Sequence, residues 1–372
     1  MQKQYLNNIF LNTSQDRNEQ ISQWLEIVFP NNVPKFEAAS ADASFRRFFR
    51  LTFADNSTKI LMDAPPDKEN CQPFILVSDL LLKADILSPQ IFQIDLQNGF
   101  LVLSDLGKIG LMLALNLQED NYEKSLLMHP VLEILLKLQK SSKAGILPPY
   151  DAKMLRRELN LFPEWFLQKH LNFALSDKET QDLNAVFELL IQNAVQQPKV
   201  FVHRDFMPRN IMLSESDDLN PAVIDFQDAV YGPITYDLVS LFRDAFLSWD
   251  EEIELDFVIR FWEKAKNQNL PVRKDFGFFW KEYELMGLQR HLKVLGIFCR
   301  LNYRDHKENY IKDLPRFIRY AMKTSHRYSE LRNLYALLLK INEKHFHLDV
   351  AEIINSGSKF QNLDFDSYME YV

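Results

Sequence analysis

Most of the chain from about Tyr122 almost to His345 keeps the apolar spacing of helices, and one island breaks that pattern. Val200–Val202 and Ala222–Ile224 are short apolar runs that flank a polar loop, so a largely helical body carries an insertion of another kind. Loops held by a rigid scaffold are where chemistry concentrates. The residues of this loop therefore constrain the reading of the whole chain.

The loop begins His203-Arg204-Asp205 and reaches Asn210 five positions after the aspartate, while Asp225 ends the second apolar run and is followed by Phe226. That spacing suits phosphoryl transfer, which needs a carboxylate to orient the acceptor hydroxyl and take its proton, with oxygen ligands for a magnesium ion nearby. Asp205 is the expected base, and Asn210 and Asp225 are the expected metal ligands. His203 is expected to brace the catalytic loop by hydrogen bonding. The alternative is a turn-capping Asp205 and an ordinary strand end at Asp225.

Upstream, Ile21, Trp24, Leu25 and Val28 share helical spacing, which predicts an amphipathic helix over 18–29 ending near Pro30 and packing on the first part of the chain. From Phe36 to Ala64 the pattern turns sheet-like. Phe49, Leu51 and Phe53 alternate with polar residues, and a turn at Ala54–Ser57 leads into Thr58–Met62, which predicts two antiparallel strands. A helix over 72–86 and short strands at Ile91–Ile94 and Phe100–Leu103 complete a small mixed lobe. The domains read as 1–104, 105–345 and a tail 346–372, whose polar stretch Ser356–Asp366 suggests a loosely held end.

With 372 residues the chain can bury two cores. Its formal net charge of −8 disfavours nonspecific nucleic-acid binding, which relies on clustered cations. Cys71 and Cys299 lie far apart and read as two reduced, buried thiols. Met1–Asn18 lacks the apolar stretch of a signal peptide and no run approaches a membrane span, so a cytoplasmic protein without membrane or nucleic-acid partners is expected. The oligomeric state is left open.

The pairing of His203-Arg204-Asp205-x4-Asn210 with Ile224-Asp225-Phe226-Gln227-Asp228 resembles the aminoglycoside phosphotransferase and choline kinase superfamily. Ala41–Arg50, Ile60–Pro66, Asp225–Pro233, Gly287–Gly296 and Asp313–Arg316 are similar to one subgroup, the anomeric N-acetylmuramate/N-acetylglucosamine kinases of bacterial cell-wall recycling. The resemblance spans roughly residues 20–325. It implies an α+β, protein-kinase-like two-lobed fold, with a small antiparallel-sheet N-lobe and a larger, mainly helical C-lobe. It also implies ATP and Mg2+ as cofactors and an amino-sugar hydroxyl as acceptor. Alternatives are an aminoglycoside or choline-type kinase, and a nucleotide-binding pseudokinase acting as a regulatory partner.

Two departures stand out. The phosphate-covering turn, Ser40-Ala41-Asp42-Ala43-Ser44, has no glycine, so backbone amides with Ser40 or Ser44 must serve. The strand at Thr58–Met62 has no lysine where one usually meets the phosphates, Lys59 being at its wrong end. Arg46 or Arg47 could supply that charge, against a reading as solvated surface arginines. Ser104-Asp105-Leu106-Gly107 resembles the linker that meets adenine through its backbone, or is a plain turn.

Asp237 resembles a residue that steadies the catalytic loop. Asp244, two helical turns on, could approach the acceptor or pair with Arg243. Arg290, His291 and Lys293 read as a solvated polar face, with Arg290 alternatively meeting a muramate's lactyl carboxylate. Glu158 and Trp165 could line an acceptor pocket, Trp165 by stacking on a sugar, though such aromatics are more often core.

Overall fold

The computed structural model describes residues 17–40, 45–213 and 220–355. The positions read above as a phosphate turn (41–44) and as a loose tail (356–366) lie outside these residues, as does most of the polar N-terminus. Contacts divide the described chain into one unit of residues 17–82 and 88–107 and a second of residues 83–87 and 108–355.

In the first unit, helix α1 (residues 17–28) precedes β1 (Lys35–Ser40), β2 (Arg47–Thr52), β3 (Thr58–Asp63), α2 (Gln72–Lys83), β4 (Ile91–Asp95) and β5 (Phe100–Ser104). The five strands form one antiparallel sheet in the order β1-β2-β3-β5-β4. Three strands therefore fill Phe36–Ala64 where the sequence pattern predicts two. The extra one, β1, is an edge strand whose only large apolar residue is Phe36, so alternation gives it little signal.

Phe49, Leu51 and Phe53 share a buried cluster with Leu61, Phe100 and Val102, and Ile21 and Leu25 of α1 close it. Each such large apolar side chain contributes about 1.5–3 kcal/mol on burial, which seats α1 against the sheet. Helix α2 stops at Lys83 rather than 86, and Asp85 has a left-handed φ of 54°. A second left-handed residue, Gly99, closes the β4–β5 turn. A Cβ there would stand 1.9 Å from the Ala64 carbonyl oxygen, which no side chain can accommodate.

The second unit is mainly helical. It runs α3 (Leu111–Leu117), α4 (Asn121–Lys140), α5 (Ala152–Leu159), a π-helical segment (Phe162–His170) and α6 (Asp177–Gln196) into the short strands. There β6 (Lys199–Val202) pairs with β9 (Val230–Pro233), and β7 (Ile211–Met212) with β8 (Ala222–Val223). The chain continues through α7 (Tyr236–Phe242), α8 (Glu251–Asn267), the 30-residue α9 (Phe276–Asp305), α10 (Leu314–Arg327), α11 (Arg332–Ile341) and α12 (Val350–Asn355). Helix α9 touches the π-helical segment so closely that a Cβ on Gly296 would stand 2.4 Å from the Leu161 carbonyl.

Cys71 and Cys299 are free and buried, and burial pushes the Cys299 thiol up to about 12. Among the described residues no helix is long and apolar enough to cross a membrane.

Candidate active site

Antiparallel pairing of β6 with β9 and β7 with β8 leaves residues 203–210 as the connection between two small sheets, entirely within the second unit. Its backbone is strained, since Arg204 has φ 77° and Asp225, just past β8, has φ 63°. Non-glycine residues hold such angles only where their surroundings enforce them. The enforcing contacts are specific.

Asp237, in the first turn of α7, accepts the backbone N–H of His203 on Oδ2 at 2.7 Å and that of Arg204 on Oδ1 at 3.0 Å. Burial pushes its carboxyl up to about 7, against those two amide bonds. His203 is fully buried and spans to the other strand pair. Its Nε2 lies 3.1 Å from the Ile224 carbonyl, which can only accept, so Nε2 carries the proton and Nδ1 accepts the Asp205 N–H at 3.3 Å. Burial drives the imidazole pKa down to about 4, so it is neutral and fixed in one tautomer. This places His203 as a brace.

Asp205 is half-buried, and its carboxylate makes no hydrogen bond among the described residues. Asn210 donates Nδ2 to the Asp205 carbonyl at 2.8 Å and, at 3.5 Å, to Asp225 Oδ2, whose other oxygen accepts Gln227 Nε2 at 2.8 Å. The three residues are thus brought to one place. With its nitrogen committed to the Asp205 carbonyl, Asn210 presents its amide oxygen as a ligand atom beside a carboxylate. That pairing fits magnesium, which is held by one or two protein oxygens and completed by phosphates and water.

A third support arrives through Arg204, whose Nη2 meets Glu158 Oε1 at 2.7 Å. Lys293 Nζ reaches the same oxygen at 3.2 Å, and Tyr150 and Gln289 donate to the other. Burial alone would raise the Glu158 carboxyl, yet Lys293 and Arg204 hold it below its ordinary value. Both oxygens of this carboxylate are engaged inside the unit, where the sequence reading expected Glu158 to line an acceptor pocket. Trp165 sits half-buried on the π-helical segment, and no ring contact or hydrogen bond ties it to the loop among the described residues.

The solvated face expected at Arg290, His291 and Lys293 is absent, since all three are buried. Helix α9 is covered on both sides, and polar partners inside the unit meet these residues: Arg290 Nε donates to Ser240 at 2.9 Å and Lys293 pairs with Glu158. Arg243 does not pair with Asp244. It binds Glu254 at 2.6 Å and Glu284 at 3.4 Å.

In the first unit the two arginine candidates separate. Arg47 faces Asp63 across the β2–β3 register and gives it Nε at 2.9 Å and Nη2 at 2.6 Å, so its guanidinium is engaged in an ion pair within the sheet. Arg17 takes the other oxygen of Asp63 at 2.7 Å. Arg46 instead lies 4.0 Å from Glu69, which also accepts the Phe45 N–H at 3.3 Å. The Asp105 side chain is engaged by Arg50 at 2.6 Å and by the Gly107 N–H at 3.0 Å, which rigidifies the stretch after β5. Lys59 lies over the Phe92 ring at 3.6 Å. Ser40 ends β1, and Ser44 falls outside the described residues.

Three comparisons bear on the family and the fold. The profile of the phosphotransferase enzyme family matches residues 35–276. An N-acetylmuramate/N-acetylglucosamine kinase of Neisseria meningitidis serogroup B is 47% identical over 326 residues, covering 87% of this chain and 96% of the relative. One of the same name from Pseudomonas aeruginosa is 44% identical over 335 residues, covering 87% and 97%. Among solved structures, a choline kinase of Streptococcus pneumoniae superposes with a TM-score of 0.58 at 15% identity, over 82% of this chain and 98% of that one. The fold is therefore protein-kinase-like, with a five-stranded antiparallel sheet in one unit and helices dominating the other.

Proposed function

The chain belongs to the phosphotransferase enzyme family, and from that premise we propose that it transfers the γ-phosphoryl group of ATP to the anomeric hydroxyl of N-acetylmuramate or N-acetylglucosamine. One observation carries the sugar assignment: 47% identity sustained over 96% of a kinase of that name. The chemistry follows from the loop. The Asp205 carboxylate takes the proton of the acceptor hydroxyl while that oxygen bonds to the γ-phosphorus. The bond from phosphorus to the β–γ bridging oxygen breaks, and ADP leaves. Asn210 and Asp225 would hold magnesium, which when bound neutralises phosphate charge. An intact set of this kind favours catalysis over a pseudokinase role.

The test is ADP release with magnesium, ATP and, in turn, N-acetylmuramate, N-acetylglucosamine, kanamycin and choline. Turnover of the two sugars, stopped by chelating the metal, is expected. Turnover confined to kanamycin or choline, or to none of the four, would sink the sugar reading.

We assign Arg46 as the first unit's phosphate-binding cation, with Glu69 as the carboxylate that aims it. Their 4.0 Å approach supports a role like that of the lysine–glutamate ion pair that positions ATP in kinases. Arg46→Ala is expected to raise KM for ATP about tenfold or more, the worth of one charge-assisted hydrogen bond. KM for the sugar should change far less. Equal KM for ATP in variant and wild type would remove Arg46 from the site.

A further inference from the structure

The Asp205 carboxylate makes no hydrogen bond among the described residues, so its direction is inherited from the backbone on either side of it. On the C-terminal side Asn210 Nδ2 holds the Asp205 carbonyl at 2.8 Å. On the N-terminal side stands Arg204, whose φ of 77° lies in the left-handed region. Glycine adopts that angle freely, whereas an arginine is strained there and stays only where contacts hold it. What arginine has and glycine lacks is a side chain that can be tied down.

Arg204 is tied at both ends. Its N–H donates to Asp237 Oδ1 at 3.0 Å, and its Nη2 donates to Glu158 Oε1 at 2.7 Å. Glu158 is the guanidinium's one hydrogen-bond partner among the described residues, and Nε is buried without one. The Tyr150 ring lies against the same guanidinium, its centroid 5.9 Å from the central carbon, and the Tyr150 hydroxyl donates to Glu158. The two ties are themselves joined. Lys293 Nζ meets Glu158 Oε1 at 3.2 Å and the Tyr236 hydroxyl at 3.0 Å, and Tyr236 immediately precedes Asp237 in α7. Side chains from α5, α7 and α9 therefore converge on the residue before Asp205.

We propose that Arg204 and Glu158 are positioning residues for phosphoryl transfer: their ion pair holds the Arg204 backbone at its left-handed angle and so aims the Asp205 carboxylate at the acceptor hydroxyl. The inference rests on the reading of Asp205 as the base. In this role neither residue touches a substrate, so the pair acts on the rate of the chemical step and leaves the binding of both substrates alone. A catalytic group misplaced by about 1 Å loses roughly 100-fold in rate, which sets the scale of the expected effect.

The experiment measures the single-turnover rate of phosphoryl transfer from ATP to N-acetylglucosamine, with KM for each, in wild type, Arg204→Gly, Arg204→Lys and Glu158→Gln. Arg204→Gly relieves the backbone strain and leaves Lys293 to neutralise Glu158, so it carries the test where Glu158→Gln does not fold. The rate is expected to fall about 10- to 100-fold in Arg204→Gly and Glu158→Gln, with both KM values within about threefold of wild type. Arg204→Lys keeps a cation that can meet Glu158 and should recover part of the rate. A wild-type rate in Arg204→Gly would overturn the inference, as would a lysine variant as slow as the glycine one. A loss carried by KM for ATP would place the guanidinium at the phosphates and overturn it too. Asp205→Asn separates the two readings: if it also keeps the wild-type rate, the base assignment and the inference fall together, whereas a slow Asp205→Asn beside a fast Arg204→Gly overturns the inference alone.

Discussion

Asp205→Asn is expected to lower kcat by about 100- to 10,000-fold, the usual range for loss of a general base. The substitution preserves size and shape but removes the ability to take a proton. It leaves little structural debt, because the carboxylate makes no hydrogen bond among the described residues, while the Asp205 backbone carries the local contacts to His203, Asn210 and Met207. ATP binding should therefore stay within a few fold of wild type, and thermal stability should hardly move. Initial rates of ADP release at saturating sugar, with nucleotide titration calorimetry on the same sample, separate the two effects. A kcat near the wild-type value would remove Asp205 as the base.

The residues to which this chemistry is assigned could be grouped in sequence because they are local. His203, Asp205 and Asn210 fall within eight residues, and Asp225 follows two short strands later. What holds them in place was not legible. Arg204 finds Glu158 46 positions away, and Gln289 reaches the same carboxylate from 131 positions away. No periodicity in the sequence announces such pairs. Polar residues on a long helix ordinarily signal a wet face, yet α9 buries Arg290, His291 and Lys293, because neighbouring elements cover it on that side too. The arginine candidates of the first unit were likewise inseparable until strand register set Arg47 opposite Asp63 and left Arg46 to Glu69.

The bracing network makes a second prediction, on stability rather than turnover. Glu158→Gln should destabilise the protein by about 3–5 kcal/mol, the cost of breaking a buried ion pair and leaving its partners uncompensated. The partners here are two, Arg204 and Lys293, and the amide can satisfy neither as a charge. Lys293→Met should cost less, since Glu158 would still be neutralised by Arg204. The pH dependence provides an independent check. A carboxyl whose pKa is lower in the folded than in the unfolded state contributes stability above its unfolded value and loses it as the medium turns acid. Glu158 is held below the ordinary 4.5, so the gap between wild type and Glu158→Gln should be full at neutral pH and narrow as pH falls below about 4.5. Urea unfolding of the two proteins at pH 7 and at pH 4 measures both statements. A gap under about 1 kcal/mol at pH 7, the scale of an exposed salt bridge, would mean that the Glu158 network is solvated and does not hold the catalytic loop in its strained form.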